Sequence, residues 1–119
     1  MPDHKSLEAW QEARAVVIGV LEVSRDHWQP WAGAMFGQLQ RSSLSVQLNI
    51  AEGWSFSQTP TCARHLGIAY GSAIETADLI ELLIDTGIVP LKQGSDLVSH
   101  SLRCRRLLVG LLKRRRPLS

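Results

Sequence analysis

Residues 41–53 (RSSLSVQLNIAEG) and 64–75 (RHLGIAYGSAIE) carry opposite charges in mirror order, and that symmetry restricts the fold more than any other feature of the chain. The interval from Arg41 to Glu52, like that from Arg64 to Glu75, makes nearly three helical turns. Both charges of each pair therefore fall on one azimuth of their helix. If the two helices fold back antiparallel about a turn near Gln58, Arg41 lies opposite Glu75 and Glu52 opposite Arg64, in a register that allows each pair to form within one chain or between two copies. Gln38, Ser45 and Asn49 continue the polar ridge of the first helix. Facing them, Gly67, Ala69, Gly71, Ser72 and Ala73 are small enough to let the two backbones approach closely. Charges withdrawn from water persist only when paired and hydrogen-bonded, which the mirror order supplies. Arg41, Ser45, Asn49, Glu52, Arg64, Ser72 and Glu75 are therefore read as a structural polar seam.

Apolar spacing extends the helical reading to the whole chain. Ser6 can cap a first helix over about 6–28, with Leu7, Trp10, Val17, Leu21 and Trp28 on one stripe and Val16, Val20 and Val23 on a second face. Pro30 and Gly33 interrupt it. A second helix over 34–55 places Met35, Leu39, Ser42, Val46, Ile50 and Gly53 together. Thr59 followed by Pro60 opens a third over 60–86, which Gly87 can end. Its core stripe runs Cys62, Leu66, Ala69, Ala73, Thr76, Ile80, Leu83 and Ile84. A fourth over 91–114 carries Leu97, Leu108 and Leu111, with Ser95 as an alternative cap for a later start, and a basic end follows over 113–119. No segment alternates with the period of a strand. The expectation is an all-α fold, an antiparallel up-and-down four-helix bundle formed by residues 1–119 as one domain.

Two helices carry more apolar surface than a monomeric bundle needs. Leu44 and Leu48 on the second, and Ile68, Leu79 and Leu82 on the third, lie off the core stripes and predict burial against another copy of the chain. Of the four tryptophans, Trp10 is expected in the core, Trp28 and Trp31 packed into the first loop, and Trp54 packed beside the second helix.

Composition narrows the function classes. With 45% apolar and 20% charged residues the body folds. No apolar run is long enough for a membrane span and the N-terminus lacks the layout of a secretory signal, so a cytoplasmic protein with no membrane partner is expected. Cys62 and Cys104 are far apart and read as small helix residues in a reducing compartment. His4, His27, His65 and His100 form no metal-binding spacing, and no nucleophile sits beside a matched base. No catalytic, metal or cofactor site is expected, and the chain does not read as an enzyme. The net charge of +2 hides an asymmetry: seven of the 13 basic residues lie from Arg103 onward, with no acidic residue after Asp96. Arg103, Arg105, Arg106, Lys113, Arg114, Arg115 and Arg116 are the candidate contacts for RNA or DNA. Their bland alternative is a solvated helix end complementing the helix dipole.

Residues 38–53 resemble the Q-x-R-R-A-x-x-S-x-x-x-N-I-A-E-G segment, and residues 63–75 the R-F-L-x-I-A-x-G-S-x-x-E segment, of small proteins encoded in intervening sequences of bacterial 23S ribosomal RNA genes. Leu7, Trp10 and Ala13 resemble that family's helix-one opening. The resemblance implies a four-helix bundle and a ring-like homo-oligomer, a pentamer being one size, with no known enzyme activity. The accessory protein of diversity-generating retroelements is similar in fold, forms a ring, and binds nucleic acid and a reverse transcriptase. Gln40 stands where the family has the first of two arginines and Phe56 where a further arginine is common, which lowers the basic charge of the second helix. The proline and acidic residue that the family places before the Gln segment are also out of register, with Trp28 and Pro30 in that region. The combined expectation is a non-enzymatic homo-oligomeric scaffold that binds RNA or DNA nonspecifically. The alternative is an accessory module recruiting a protein partner through its apolar outer seams.

Overall fold

The computed structural model describes residues 3–115, with the backbone alone at position 115. Four helices account for most of it: α1 (Glu8–His27), α2 (Gly33–Ser55), α3 (Pro60–Asp85) and α4 (Leu91–Arg115). Single 3-10 turns, His4–Ser6 and Pro30–Ala32, lead into α1 and α2. α1 packs on α2 and α4, and α3 packs on the same two, whereas the diagonal backbones do not meet. Tight reversals join consecutive helices, so the fold is an all-α, antiparallel, up-and-down four-helix bundle measuring 47 × 24 × 21 Å.

Local chemistry sets the helix ends. The Thr59 hydroxyl accepts the Cys62 N–H at 3.4 Å while Pro60 supplies a first helical residue that needs no amide partner. At the other end of α3, Gly87 takes φ 75°, the Ile88 N–H donates to the Leu83 carbonyl, and the Gly87 N–H donates to that of Ile84. These paired bonds satisfy carbonyls the helix leaves open, and only glycine enters that backbone region freely. Ser6 departs from expectation: it lies inside the 3-10 turn, whose cap is Asp3, and α1 begins behind Leu7 with no side-chain cap.

The face of α1 that reaches the core is also corrected. Ala9, Ala13, Val16, Val20 and Val23 are buried, whereas Leu21 is exposed. These five continue one helical stripe without a gap, and their short side chains let α1 contact both α2 and α4. The larger Leu7 and Trp10 pack at the core's margin.

The core has two apolar clusters stacked along the bundle. One gathers Ala9, Ala13, Val46, Ile50, Leu66, Ala69, Cys104 and Leu108; the other gathers Val16, Val20, Val23, Phe36, Leu39, Ile80, Leu83 and Leu97. Ser42, Ser43, Thr76 and Ser101 are buried between them in sequence on α2, α3 and α4, forming a layer of hydroxyls at mid-height. Each finds a partner: Thr76 Oγ1 lies 2.9 Å from Ser42 Oγ and 2.7 Å from the Ser72 carbonyl, and Ser43 and Ser101 donate to the Gln40 and Ala73 carbonyls. No buried side-chain nitrogen or oxygen among the described residues lacks a hydrogen-bond partner. That satisfaction is what lets a polar layer sit in a core at low cost.

Gly53 marks the close approach of α2 to α3, where an added Cβ would lie 2.9 Å from His65 Cβ and 3.4 Å from the Cys62 carbonyl oxygen. Gly53→Ala is expected to lower unfolding free energy by about 1–2 kcal/mol despite the better helix propensity of alanine, because the neighbours cannot turn aside. Phe36→Ala, which empties a fully buried site, should cost about 3–5 kcal/mol. Urea titration, read as a shift in midpoint at constant slope, measures both.

Candidate functional site

Two surfaces carry the polar and charged groups that the core does not use. The first is the open face of the α2–α3 hairpin. Ser45 Oγ and Ser72 Oγ share a hydrogen bond of 2.9 Å. One turn along, Asn49 Nδ2 donates to the Ser45 carbonyl at 2.9 Å, which leaves Asn49 Oδ1 to accept from His65 Nδ1 at 2.9 Å. The ring of Phe56 stacks on that of His65, their centroids 6.1 Å apart. The seam thus lies in the antiparallel register expected from the mirror order.

Its charges, however, do not pair with one another inside the chain. Gln38 Nε2 donates to Glu75 Oε2 at 2.5 Å, and Arg41 bends back to the Gln38 side-chain oxygen through Nε at 3.2 Å and Nη2 at 2.9 Å. Gln38 lies one turn before Arg41 and reaches Glu75 first, so an amide stands between cation and carboxylate. At the other end the Glu52 carboxylate turns toward His65, with Oε2 at 3.8 Å from Nδ1. Arg64 is exposed and has no ion-pair partner among the described residues. The four exposed charges are therefore not joined to one another within the chain. The signal for Gln38 was present in its i, i+3 spacing from Arg41; that for His65 was its place beside Arg64.

The glycines of the seam are likewise reassigned. Gly67 and Gly71 point outward, and a Cβ on either would meet nothing within 4 Å among the described residues. The close approach within the hairpin belongs to Gly53 instead. Around these glycines Leu44, Leu48, Ile68 and Leu82 are 44–47% exposed. Leu79, expected with them, is partly buried against the upper core.

The second surface is α4. Arg103, though half exposed, is engaged by α1: Nη2 lies 3.0 Å from Glu8 Oε2 and Nε 3.0 Å from Glu12 Oε1. Glu12, 18% exposed, also receives His100 Nδ1 at 2.5 Å. This cluster ties α1 to α4 and removes Arg103 from the basic patch, because two carboxylates neutralise it. Arg105 is half-buried, whereas Arg106, Lys113 and Arg114 are exposed without an ion-pair partner among the described residues. The side chain of Arg115, and Arg116 altogether, lie outside the described residues.

Other expectations resolve differently. Trp10 packs beside the lower core, edge-on to His4 with ring centroids 5.3 Å apart, and Trp54 packs against the same cluster. Trp31 does not pack into its loop: it is 72% exposed, and Trp28, resting near Gly33, is half exposed. Among the described residues no group of three His, Cys, Asp or Glu side chains converges as metal ligands, and no helix is long and apolar enough to cross a membrane. Cys62 and Cys104 are buried and are not joined in a disulfide. Burial, and secondarily Glu12, pushes the Cys104 thiol from 9.0 up to about 12.

A thiol whose native pKa exceeds its unfolded value binds its proton more tightly when folded. Its contribution to stability is complete below pH 9.0 and is lost as pH rises towards about 12. Denaturation midpoints should accordingly fall over that interval, and Cys104→Ala should flatten this part of the profile. Thiol reagents at mildly alkaline pH should modify neither cysteine until denaturant opens the bundle.

Set against known proteins, the chain matches the sequence model of a family described as the 23S rRNA-intervening sequence protein over residues 5–110. It is similar in structure to a protein of unknown function from the S23 ribosomal protein family of Bacteroides thetaiotaomicron. The TM-score is 0.80 at 23% sequence identity, covering 88% of this chain and 98% of that one. No curated relative matches.

Proposed function

The chain belongs to the 23S rRNA-intervening sequence protein family, and from that premise we propose that it is a cytoplasmic, non-enzymatic scaffold. In this reading it assembles with copies of itself into a closed ring, of which a pentamer is one size, and holds RNA or DNA without sequence preference on the basic end of α4. The observation that carries the reading is the sorting of cations along that helix. Arg103 is neutralised by Glu8 and Glu12, whereas Arg106, Lys113 and Arg114 project without a counter-ion among the described residues. Phosphate contacts supply affinity without base readout, and repetition around an oligomer converts weak contacts into avidity. The exposed leucines and isoleucine of the α2–α3 face support the assembly.

Those same apolar residues support a second reading, an accessory module that recruits a different protein. Purification from the native cell with and without nuclease separates the two. A protein partner that survives nuclease favours the module, and nucleic acid lost with nuclease favours the scaffold.

Light scattering across a concentration series tests assembly directly, and a particle that stays at monomer mass overturns the scaffold. Gel shifts across a salt series test the ligand. Replacing Arg106, Lys113 and Arg114 by alanine should reduce the slope of log K against log salt by up to about 3 per protomer contacting a duplex. Arg103→Ala should leave that slope unchanged while lowering stability by about 1 kcal/mol through the lost contact with half-buried Glu12. Absence of binding at low salt would end the nucleic-acid reading.

A further inference from the structure

We propose that the open α2–α3 face is a self-recognition surface whose four exposed charges pair between copies of the chain: Arg41 with Glu75 of a second copy, and Glu52 with Arg64 of a second copy. The inference rests on the assembly reading above and deepens it by naming the contact.

Three observations converge on a second copy as the occupant. The first is charge. Arg41 and Glu75 occupy one level of the face, linked through Gln38, while Glu52 and Arg64 occupy the other, where Glu52 approaches His65. The α2 edge thus reads minus to plus while the α3 edge reads plus to minus, and these four charges sum to zero. An α3 laid along this α2 in the direction of its own α3 meets opposite charge at both levels. None of these cations has a carboxylate partner within its own chain among the described residues. The second observation is apolar surface between the charges, where Leu44, Leu48 and Ile68 stand exposed. The third is shape. Gly67 and Gly71 each cost a helix interior about 1 kcal/mol relative to alanine, yet among the described residues nothing lies within 4 Å of a Cβ placed on either. In the register of the hairpin Leu48 lies level with Ile68, beside Gly67, and Leu44 lies level with Ser72, beside Gly71. Each leucine of a second copy then has a vacant glycine position to enter, as a knob enters a hole.

Ion pairs at such a contact set partner and register more than total affinity. The contact is heterologous, α2 edge to α3 edge, so its repetition closes a ring when the rotation per copy permits.

Complementary mixing tests this. One variant carries Arg41→Glu with Arg64→Glu, leaving an acidic face; the other carries Glu52→Arg with Glu75→Arg, leaving a basic one. All four positions are exposed, so each variant should retain wild-type helical circular dichroism. Each alone should run at monomer mass in light scattering, and an equimolar mixture should associate into particles above monomer mass that contain both chains, since acidic and basic faces alternate along the contact. Persistence of the wild-type mass in either variant alone, or failure of the folded variants to recombine, overturns the pairing even though wild-type assembly stands. A monomeric wild type removes the underlying reading instead. If a double variant does not fold, Gly71→Leu provides the second test. The open space predicts a folded chain that no longer assembles, and a Gly71→Leu protein of wild-type mass rejects the interface.

Discussion

The antiparallel contact of α2 with α3 is the constraint on which the rest of the molecule depends. Gly53 lets the helices approach near His65 and Cys62 at one end, and the Ser42–Thr76 and Ser45–Ser72 hydroxyl contacts hold them at mid-height. With that pair in place, Ile50, Leu66, Ala69 and Leu39 form half of a core, which α1 and α4 complete from the opposite side. A slip of either helix by one turn would place serine hydroxyls against leucine and valine. Their desolvation without partners costs more than the hydrogen bonds contribute when made. The hydroxyl layer therefore specifies register more than it adds stability.

Charge is distributed by the same geometry. Where a cation can reach a carboxylate across two packed helices it does so, as Arg103 does with Glu8 and Glu12, and such a residue joins the structure. Where helix azimuth turns a cation outward, as for Arg64, Arg106 and Lys113, no intramolecular ion pair forms among the described residues. Outward charges keep their solvation and remain free for a partner, and this division gives the chain two surfaces of different character. The α2–α3 face carries charges of both signs and is studded with aliphatic side chains. The end of α4 is uniformly positive. The former suits recognition of a matching protein face and the latter a polyanion.

The helices were legible because apolar periodicity is a property of the chain itself. Leu39, Val46 and Ile50 on α2, and Leu66, Ala69, Ala73 and Ile80 on α3, reach the core on the stripes that spacing predicts. Gly87 and Thr59 mark their helix ends through backbone chemistry that acts over three or four residues. The face of α1 was harder to read. Leu7, Trp10, Val17 and Leu21 look like the stronger stripe by size, yet the bundle buries the alanine and valine face, since a helix touching two neighbours at once favours short side chains at its centre. Trp28 and Trp31 were expected to pack by virtue of their bulk, but the first loop leaves Trp28 about half exposed and Trp31 largely so.

Helix content, antiparallel hairpin register, bundle class and the basic bias of α4 were determined by the sequence alone, because each follows from spacing, local capping or charge counted along the chain. Tertiary structure alone decided which charges meet. Gln38 intercepts Glu75 ahead of Arg41, Glu52 turns to His65, Arg103 is absorbed by α1, and the seam glycines open outward. The reason is one of scale. A helical period places a residue's azimuth within tens of degrees, whereas an ion pair or hydrogen bond is made or lost within about one ångström, and only the packed arrangement of all four helices resolves that distance.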